Sequence, residues 1–451
     1  MDFAVSLLRG LIGIVLILSI AFIFSNNKKK VSWKIVGYGL LIQITFAILI
    51  LKGDQLGAFF APLGWPKEFF KWVSSFFVLI LNFTYEGASF VFGALASGPE
   101  KQGSFGVFFA FQVLPTIIFF ACLMSVLYYL GVMQKIVQGM AWVMAKILGT
   151  SGAESLSCTA NIFVGQTEAP LMIKPFLKTM TNSELLTVMV GGMATIAGGV
   201  MAAYIQILGT SFAAIHGISV TDAQLVFATH LLGASVMAAP AALIISKIIY
   251  PETGEPVTKG TVKINVEKNA SNVIESAAVG AGEGLTLALN VGAMLIAFIA
   301  LIALINYLLI FLGDATGING YFMSVYHQPL NLQLLFGIVL QFIAYGIGVP
   351  WVDALNFGSL FGTKIVLNEF VAYMDLGKMI EMKKFVDEKT IFMATYALCG
   401  FANFSSIAIQ IGGLSPLAPE RRSDFAKLGL KAVLGGALST LLTATLAGIL
   451  F

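Results

Sequence analysis

The chain has 451 residues, 58% of them hydrophobic and 11% charged, and its mean hydropathy is +0.90. Soluble domains carry about 25% charged residues, so this composition excludes a soluble globular protein. A net charge of +3, with no basic cluster larger than Lys28–Lys30, also excludes disorder and nucleic-acid binding.

A membrane helix needs about 20 apolar residues. In chain order the full-length candidates are Phe3–Phe24, Ile35–Leu51, Val107–Leu130, Leu185–Leu208, Ala223–Tyr250, Leu285–Leu312, Thr390–Ile411 and Phe425–Phe451. Interrupted apolar stretches lie at Phe69–Phe92, Val132–Leu148, Ser155–Leu177, Leu332–Val349 and Asp353–Tyr373. The first span lacks a small-residue cleavage site and is followed by lysines, so it reads as a retained helix rather than a signal peptide. The cysteines (Cys122, Cys158, Cys399) sit in apolar stretches and the histidines (216, 230, 327) are scattered, which implies neither a disulfide framework nor a histidine metal centre. The 46 glycines against 13 prolines point to close helix approaches and local breaks.

Orientation follows from basic residues. With residues 26–34 cytoplasmic, the inner side holds Lys28, Lys29, Lys30, Lys34, Lys135, Lys146, Lys174, Lys178, Lys247, Lys259, Lys263, Lys268, Arg421, Arg422, Lys427 and Lys431. That is 16 of the 26 basic residues, which places both termini outside and makes the polar stretch Pro251–Asn272 an inner loop.

Two segments, 160–199 and 364–406, share a plan. In each, a polar pair ending in glutamate (Thr167-Glu168, Asn368-Glu369) interrupts an apolar stretch. A short lysine-bearing helix, a polar turn and a long apolar helix broken near its middle follow. The distance from Glu168 to Thr195 is 27 residues, and from Glu369 to Asn403 it is 34. The charge-based topology inserts the two units from opposite sides, as in inverted-repeat transporters with discontinuous helices meeting at the midplane. Chance likeness of two amphipathic segments is the alternative.

A carboxylate at the bilayer centre costs about 2.5–3.5 kcal/mol, so it is usually functional or paired. Glu168 and Glu369 are the acids that fall between apolar runs. Gln166, Thr167 and Glu168 point about 100° apart on a regular helix; preceded by Gly165 and followed by Ala-Pro, they fit an opened hairpin tip. A polar kink buried against a neighbour is the plainer account. Asn403 and Ser406, at i and i+3, fall on one helix face, with Phe401 nearby as an aromatic wall; helix–helix hydrogen bonds and core packing are the alternatives there. Two carboxylates, two amides and two hydroxyls suit a neutral solute rich in hydroxyls, and no arginine stands ready for a dicarboxylate. Asn161, the carbonyl of Val164 before Gly165, and the Thr195 hydroxyl add hard oxygen ligands of the kind that hold Na⁺.

GQTEAPL (165–171) with the preceding ANIFV, GTKIVLNEFVAY (362–373) and GFANFSSIAIQIGGLSP (400–416) resemble the concentrative nucleoside transporters, particularly the bacterial sodium-coupled members. The resemblance runs from about residue 90 to the end. It implies an all-α polytopic membrane protein of the bacterial inner membrane, with eight transmembrane helices plus two re-entrant hairpins of inverted topology, near Ser151–Met180 and Asp353–Phe385. The implied organisation is N-terminal helices with an interfacial segment (1–94), a scaffold helix with the first hairpin and first half of a transport domain (95–250), the polar loop (251–272), and a second scaffold helix with the second hairpin and second half (273–451). Scaffold helices near 35–51, 107–130 and 285–312 would hold a homotrimer while the transport domain moves as an elevator.

By the same resemblance Gln166, Thr167 and Glu168 meet the nucleobase of a uridine- or adenosine-type substrate, with Val200 beside it. Glu369, Asn403 and Ser406 bind ribose hydroxyls near Phe401. Na⁺, the coupling ion, is held by Asn161, the Val164 and Ile196 carbonyls and the Thr195 hydroxyl. Relatives tend to have Ser at position 195, so the hydroxyl survives with an added methyl; Asn161 favours Na⁺ over H⁺. The rival readings are an intramembrane enzyme acting on lipid-linked substrates, which lacks a carboxylate cluster or Ser/His set near the motifs, and a passive channel.

Overall fold

The computed structural model describes residues 3–98, 105, 106, 108–260 and 270–451. Val107, at the start of the third expected span, and Lys263 and Lys268 of the polar loop lie outside the described residues. The described chain is helical. It runs α1 (Phe3–Ile23), α2 (Trp33–Leu51), α3 (Gly53–Phe59), α4 (Trp65–Phe92), α5 (Phe109–Gln112), α6 (Leu114–Tyr129) and α7 (Val132–Leu148). Next come α8 (Gly152–Ala160), α9 (Asn182–Ala194), α10 (Gly198–His216), α11 (Val220–Ile249) and α12 (Val273–Ala315). The last part holds α13 (Ile318–Tyr326), α14 (Leu332–Gly346), α15 (Trp351–Val366), α16 (Glu369–Glu381), α17 (Glu388–Leu398), α18 (Phe404–Leu414) and α19 (Arg422–Leu450). Counting α9 with α10 as one path, eight helical paths among the described residues are long and apolar enough to cross a membrane.

Two spans differ from expectation. The interrupted stretch at 69–92 belongs to the continuous 28-residue helix α4. Its polar side chains do not break it, because Ser75, Thr84 and Ser89 donate back to the carbonyls of Trp72, Ile80 and Glu86 on their own helix. The apolar helices through 185–208 and 390–411, expected to be broken near their middle, are split by non-helical residues 195–197 and 399–403. The span expected to begin at Leu285 begins at Val273 and runs 43 residues, about 65 Å at 1.5 Å per residue, twice a bilayer core.

The repeat has a structural counterpart. One unit is α8, an irregular tip, a second arm, the half-helices α9 and α10, and the long α11. The other is α15, a break at residues 367–368, α16, the half-helices α17 and α18, and the long α19. The contacts are reciprocal: α11 packs on α9 and α17, α19 packs on α17 and α9, and α11 packs on α19. The second arm of the first unit is not the expected lysine-bearing α-helix. It is a 3₁₀ turn, Ala169–Ile173, followed by turns; Pro170 and Pro175 supply no N–H for a helical ladder. The sharp bend of 119° in the second unit's approach falls between α14 and α15.

The core lies around α9–α11 and α19, whose apolar windows are almost wholly buried, whereas α12 exposes most of its surface. Two capping boxes, Ser151 with Glu154 and Thr181 with Glu184, start α8 and α9. Lys247 of α11 ties the two starts together, pairing with Glu154 at 2.7 Å and donating to the Ser183 hydroxyl at 2.9 Å.

Candidate functional site

The two helix breaks are packed on one another. The Phe401 N–H donates to the Thr195 carbonyl at 3.3 Å, so one break caps the other where each has lost its own ladder. The approach is close because position 400 is glycine: a Cβ there would lie 2.7 Å from the Met193 carbonyl oxygen and 3.0 Å from the Ala194 carbonyl carbon. Backbone atoms cannot step aside as a flexible side chain can. Gly400→Ala is therefore expected to cost about 1–3 kcal/mol of stability, read as a lower unfolding midpoint in detergent.

Asn403 and Ser406 do not share a helix face, as their spacing implied. Asn403 is the N-cap of α18, with extended backbone (φ −140, ψ 165), and its Oδ1 accepts the Ser406 N–H at 2.8 Å. The i, i+3 relation is that of a cap to its third residue. It still brings both into the site. Capping fixes the Asn403 amide so that Nδ2 donates to Glu369 Oε2 at 3.1 Å, while the Tyr204 hydroxyl donates to Glu369 Oε1 at 3.2 Å. From the first unit's tip, Gln166 Nε2 donates to the Ser406 hydroxyl at 3.2 Å. Gln166, Ser406, Asn403, Glu369 and Tyr204 thus form one hydrogen-bonded chain joining α8's tip, α18, α16 and α10.

Glu369 stands in the first turn of α16, behind the Asn368 cap, and is buried; the helix N-terminus favours its negative charge. Val200 and Ile196 are buried beside the first break, and Phe401 is half-buried in the second. Thr167 and Glu168 stand apart from the chain. Thr167 donates to Glu168 Oε1 at 3.1 Å, and Glu168 is exposed, folded back over Gly165. Its electrostatic neighbours are Tyr128 of α6 and Glu283 of α12 rather than Glu369.

Asn161 ends α8 as its C-cap and is fully buried. Its Nδ2 donates to the Ser157 carbonyl at 2.9 Å, which fixes which end of the amide is oxygen, and Oδ1 accepts nothing from the described residues. A buried amide oxygen without a donor is costly, and a cation satisfies it. The Thr195 hydroxyl spends its proton on the Gly191 carbonyl at 3.0 Å, so its lone pairs remain for the same purpose. These donors fit a hard monovalent cation such as Na⁺.

Two residues were not singled out by spacing. Tyr204 lies on α10, fully buried and stacked on Tyr373 at 4.1 Å; an apolar helix gives no signal that a tyrosine turns its hydroxyl to a carboxylate. Gln410, one turn beyond Ser406, donates to the Met189 carbonyl at 2.9 Å and leaves its own oxygen unpartnered. Gln410 and Gln166 both crowd Gly192 of α9. Its i+4 placement after Ser406 was the available signal.

Known families match along most of the chain. The one described as Na⁺ dependent nucleoside transporter N-terminus matches residues 12–95, Nucleoside recognition matches 110–211, and Na⁺ dependent nucleoside transporter C-terminus matches 230–448. An uncharacterized transporter of Haemophilus influenzae is 44% identical over 98% of both chains. Sodium/nucleoside cotransporter 1 of Rattus norvegicus is 41% identical over 97% of this chain and 63% of its own length. CNTnw in an inward-facing substrate-bound state superposes with a TM-score of 0.83 at 39% identity, covering 98% of both chains. A doubly substituted CNTnw in an outward-facing state superposes at 0.84 with 39% identity, covering 99% of both chains.

Proposed function

The chain belongs to the Na⁺-dependent nucleoside transporter family, and from that premise we propose that it is a sodium–nucleoside symporter of the bacterial inner membrane, importing uridine- or adenosine-type substrates. The family is one of multi-pass membrane transporters, not enzymes, and solved relatives in inward- and outward-facing states support alternating access. Beyond family membership, symport with Na⁺, the uridine- or adenosine-type substrate, the residue roles, the elevator movement and the homotrimer are inferred.

The observation that carries it is the hydrogen-bonded chain from Gln166 to Tyr204. It offers a carboxylate, amides and hydroxyls to a neutral, hydroxyl-rich solute. Glu369 and Asn403 suit ribose hydroxyls, with Ser406 beside them. Gln166, whose Oε1 is unpartnered, suits a nucleobase edge, with Val200 and Phe401 as apolar walls. Thr167 and Glu168 join the base only when the first tip closes, which fits their present place outside the chain.

Na⁺ at Asn161, Thr195 and the Val164 and Ile196 carbonyls would order that tip from behind. Gln166 lies five residues beyond Asn161 on one irregular segment, so ion binding and base binding share a backbone. The scaffold would comprise α2, α6 and α12; the exposed apolar length of α12 supports its packing against lipid and a second copy.

Proteoliposome uptake of labelled uridine tests this, under a sodium gradient or a proton gradient alone, with competition by nucleosides and bare nucleobases. Accumulation above the external level that collapses with the sodium gradient is the expected result. Uptake that follows the proton gradient without sodium sinks the symport claim, and equal competition by bare bases sinks the ribose assignment.

A further inference from the structure

Lys364 is fully buried on α15, five residues before Glu369. Among the described residues it forms no ion pair with a carboxylate. Its Nζ donates instead to the Ala397 carbonyl at 2.8 Å and the Thr440 hydroxyl at 3.0 Å, and it lies 5.3 Å from the centre of the Phe361 ring. Ala397 is in the last turn of α17. The ammonium therefore sits where a half-helix presents its negative end and carbonyls that its ladder no longer satisfies.

The corresponding place in the first unit is the end of α9 at Thr195, beside the end of α8 at Asn161. There no described residue supplies a cation: Asn161 Oδ1 is left without a donor, and Na⁺ is proposed to sit there. The two units are alike in element order and reciprocal in contact. They differ at this point in that one carries a lysine and the other an unfilled oxygen set.

We propose that Lys364 is a tethered cation, holding in the second unit the position that free Na⁺ takes in the first. The consequence is an asymmetric cycle. The second tip, with Glu369, is organised permanently, because α15 is fastened to the ends of α17 and to α19. The first tip is organised only when an ion arrives. One free cation per cycle follows. This rests on Asn161 and Thr195 being the sodium site, and Lys364 acts as a positioning residue that does not touch substrate.

The test heats purified protein in detergent without nucleoside, at a fixed NaCl concentration, with added methylammonium chloride or choline chloride at equal ionic strength. Methylammonium matches the lost ammonium, and choline is too large for a buried site. K364A is expected to unfold about 3 °C higher in methylammonium than in choline, by mass action on a vacated site, whereas wild type shows no difference. K364M, which fills the space, is expected to show none either. The sodium dependence of uridine uptake should steepen in K364A from a Hill coefficient of about 1 to about 2 as a second Na⁺ enters the vacancy.

The heating comparison decides. K364A behaving as wild type, or K364M gaining the same stabilisation, overturns the inference. Should K364A not fold in NaCl alone, recovery in methylammonium supports the inference and loss in both salts overturns it. A wild-type protein without sodium-driven uptake would defeat the symport reading, and the heating result would stay readable on its own.

Discussion

Sodium-driven uridine uptake by Glu369→Gln is expected to fall about 100-fold, a change of about 2.7 kcal/mol, near the upper end for hydrogen bonds to a charged group. The geometry explains why so small an alteration costs so much. Both Glu369 oxygens accept, one from Tyr204 and one from Asn403. A glutamine must turn an NH₂ toward one of those donors. If it faces Asn403, that amide rotates, its Oδ1 leaves the Ser406 N–H, and the α18 cap opens. If it faces Tyr204, the hydroxyl must turn its proton away and lose its acceptor, while the ring stays held by Tyr373 stacked on it and Phe370 edge-on. In either case a ribose bound as proposed would lose a carboxylate acceptor. Tyr204→Phe separates the two costs, because it removes one donor and leaves the carboxyl group in place. It should lower uptake about tenfold, the loss of one hydrogen bond to a charged group. Initial rates at saturating sodium measure both, and wild-type rates for Glu369→Gln would remove Glu369 from the binding site.

Intramembrane charge was the most legible feature of this site, because a carboxylate among apolar residues has few reasons to be there. Glu369 met that expectation: it is buried and twice hydrogen-bonded. Glu168 met it in position but not in contact, since it lies on the first tip yet, with Thr167, turns toward α6 and α12 rather than Glu369. Sequence reports which residue occupies a tip, not whether the tip is closed.

The helix breaks were legible at 195 and 403 through glycine and hydroxyl clusters. Polarity alone misled in α4, where hydroxyls fold back on their own carbonyls, a choice no hydropathy pattern records. Asn403 and Ser406 show the same limit at closer range. Their spacing was right and its cause was not: three residues separate a cap from the N–H it accepts as well as two neighbours on a face. Tyr204 and Lys364 were invisible because each is defined by a contact more than 30 residues away in the chain.

Asn161→Ala is expected to raise the sodium concentration for half-maximal uptake at least about tenfold, while the uridine affinity at saturating sodium stays near wild type. The alanine removes an oxygen that no protein donor uses, so in the absence of ion the protein gains by losing a buried, unsatisfied acceptor. It also loses the Nδ2 bond to Ser157, a single contact at the C-terminal end of α8. The two effects offset in the ion-free state, and the remaining change falls on the bound ion, worth about 1.4 kcal/mol for each factor of ten. Position 195 supplies the control. Thr195→Val keeps the shape and deletes the hydroxyl oxygen, so it should shift sodium dependence in the same direction as Asn161→Ala. Thr195→Ser keeps the oxygen with its Gly191 bond and should stay within about threefold of wild type, under 0.7 kcal/mol on the same scale. If Thr195→Val and Thr195→Ser shift sodium dependence alike, the hydroxyl is not a ligand. If Asn161→Ala leaves the sodium curve in place, the orphaned oxygen is not where the ion sits.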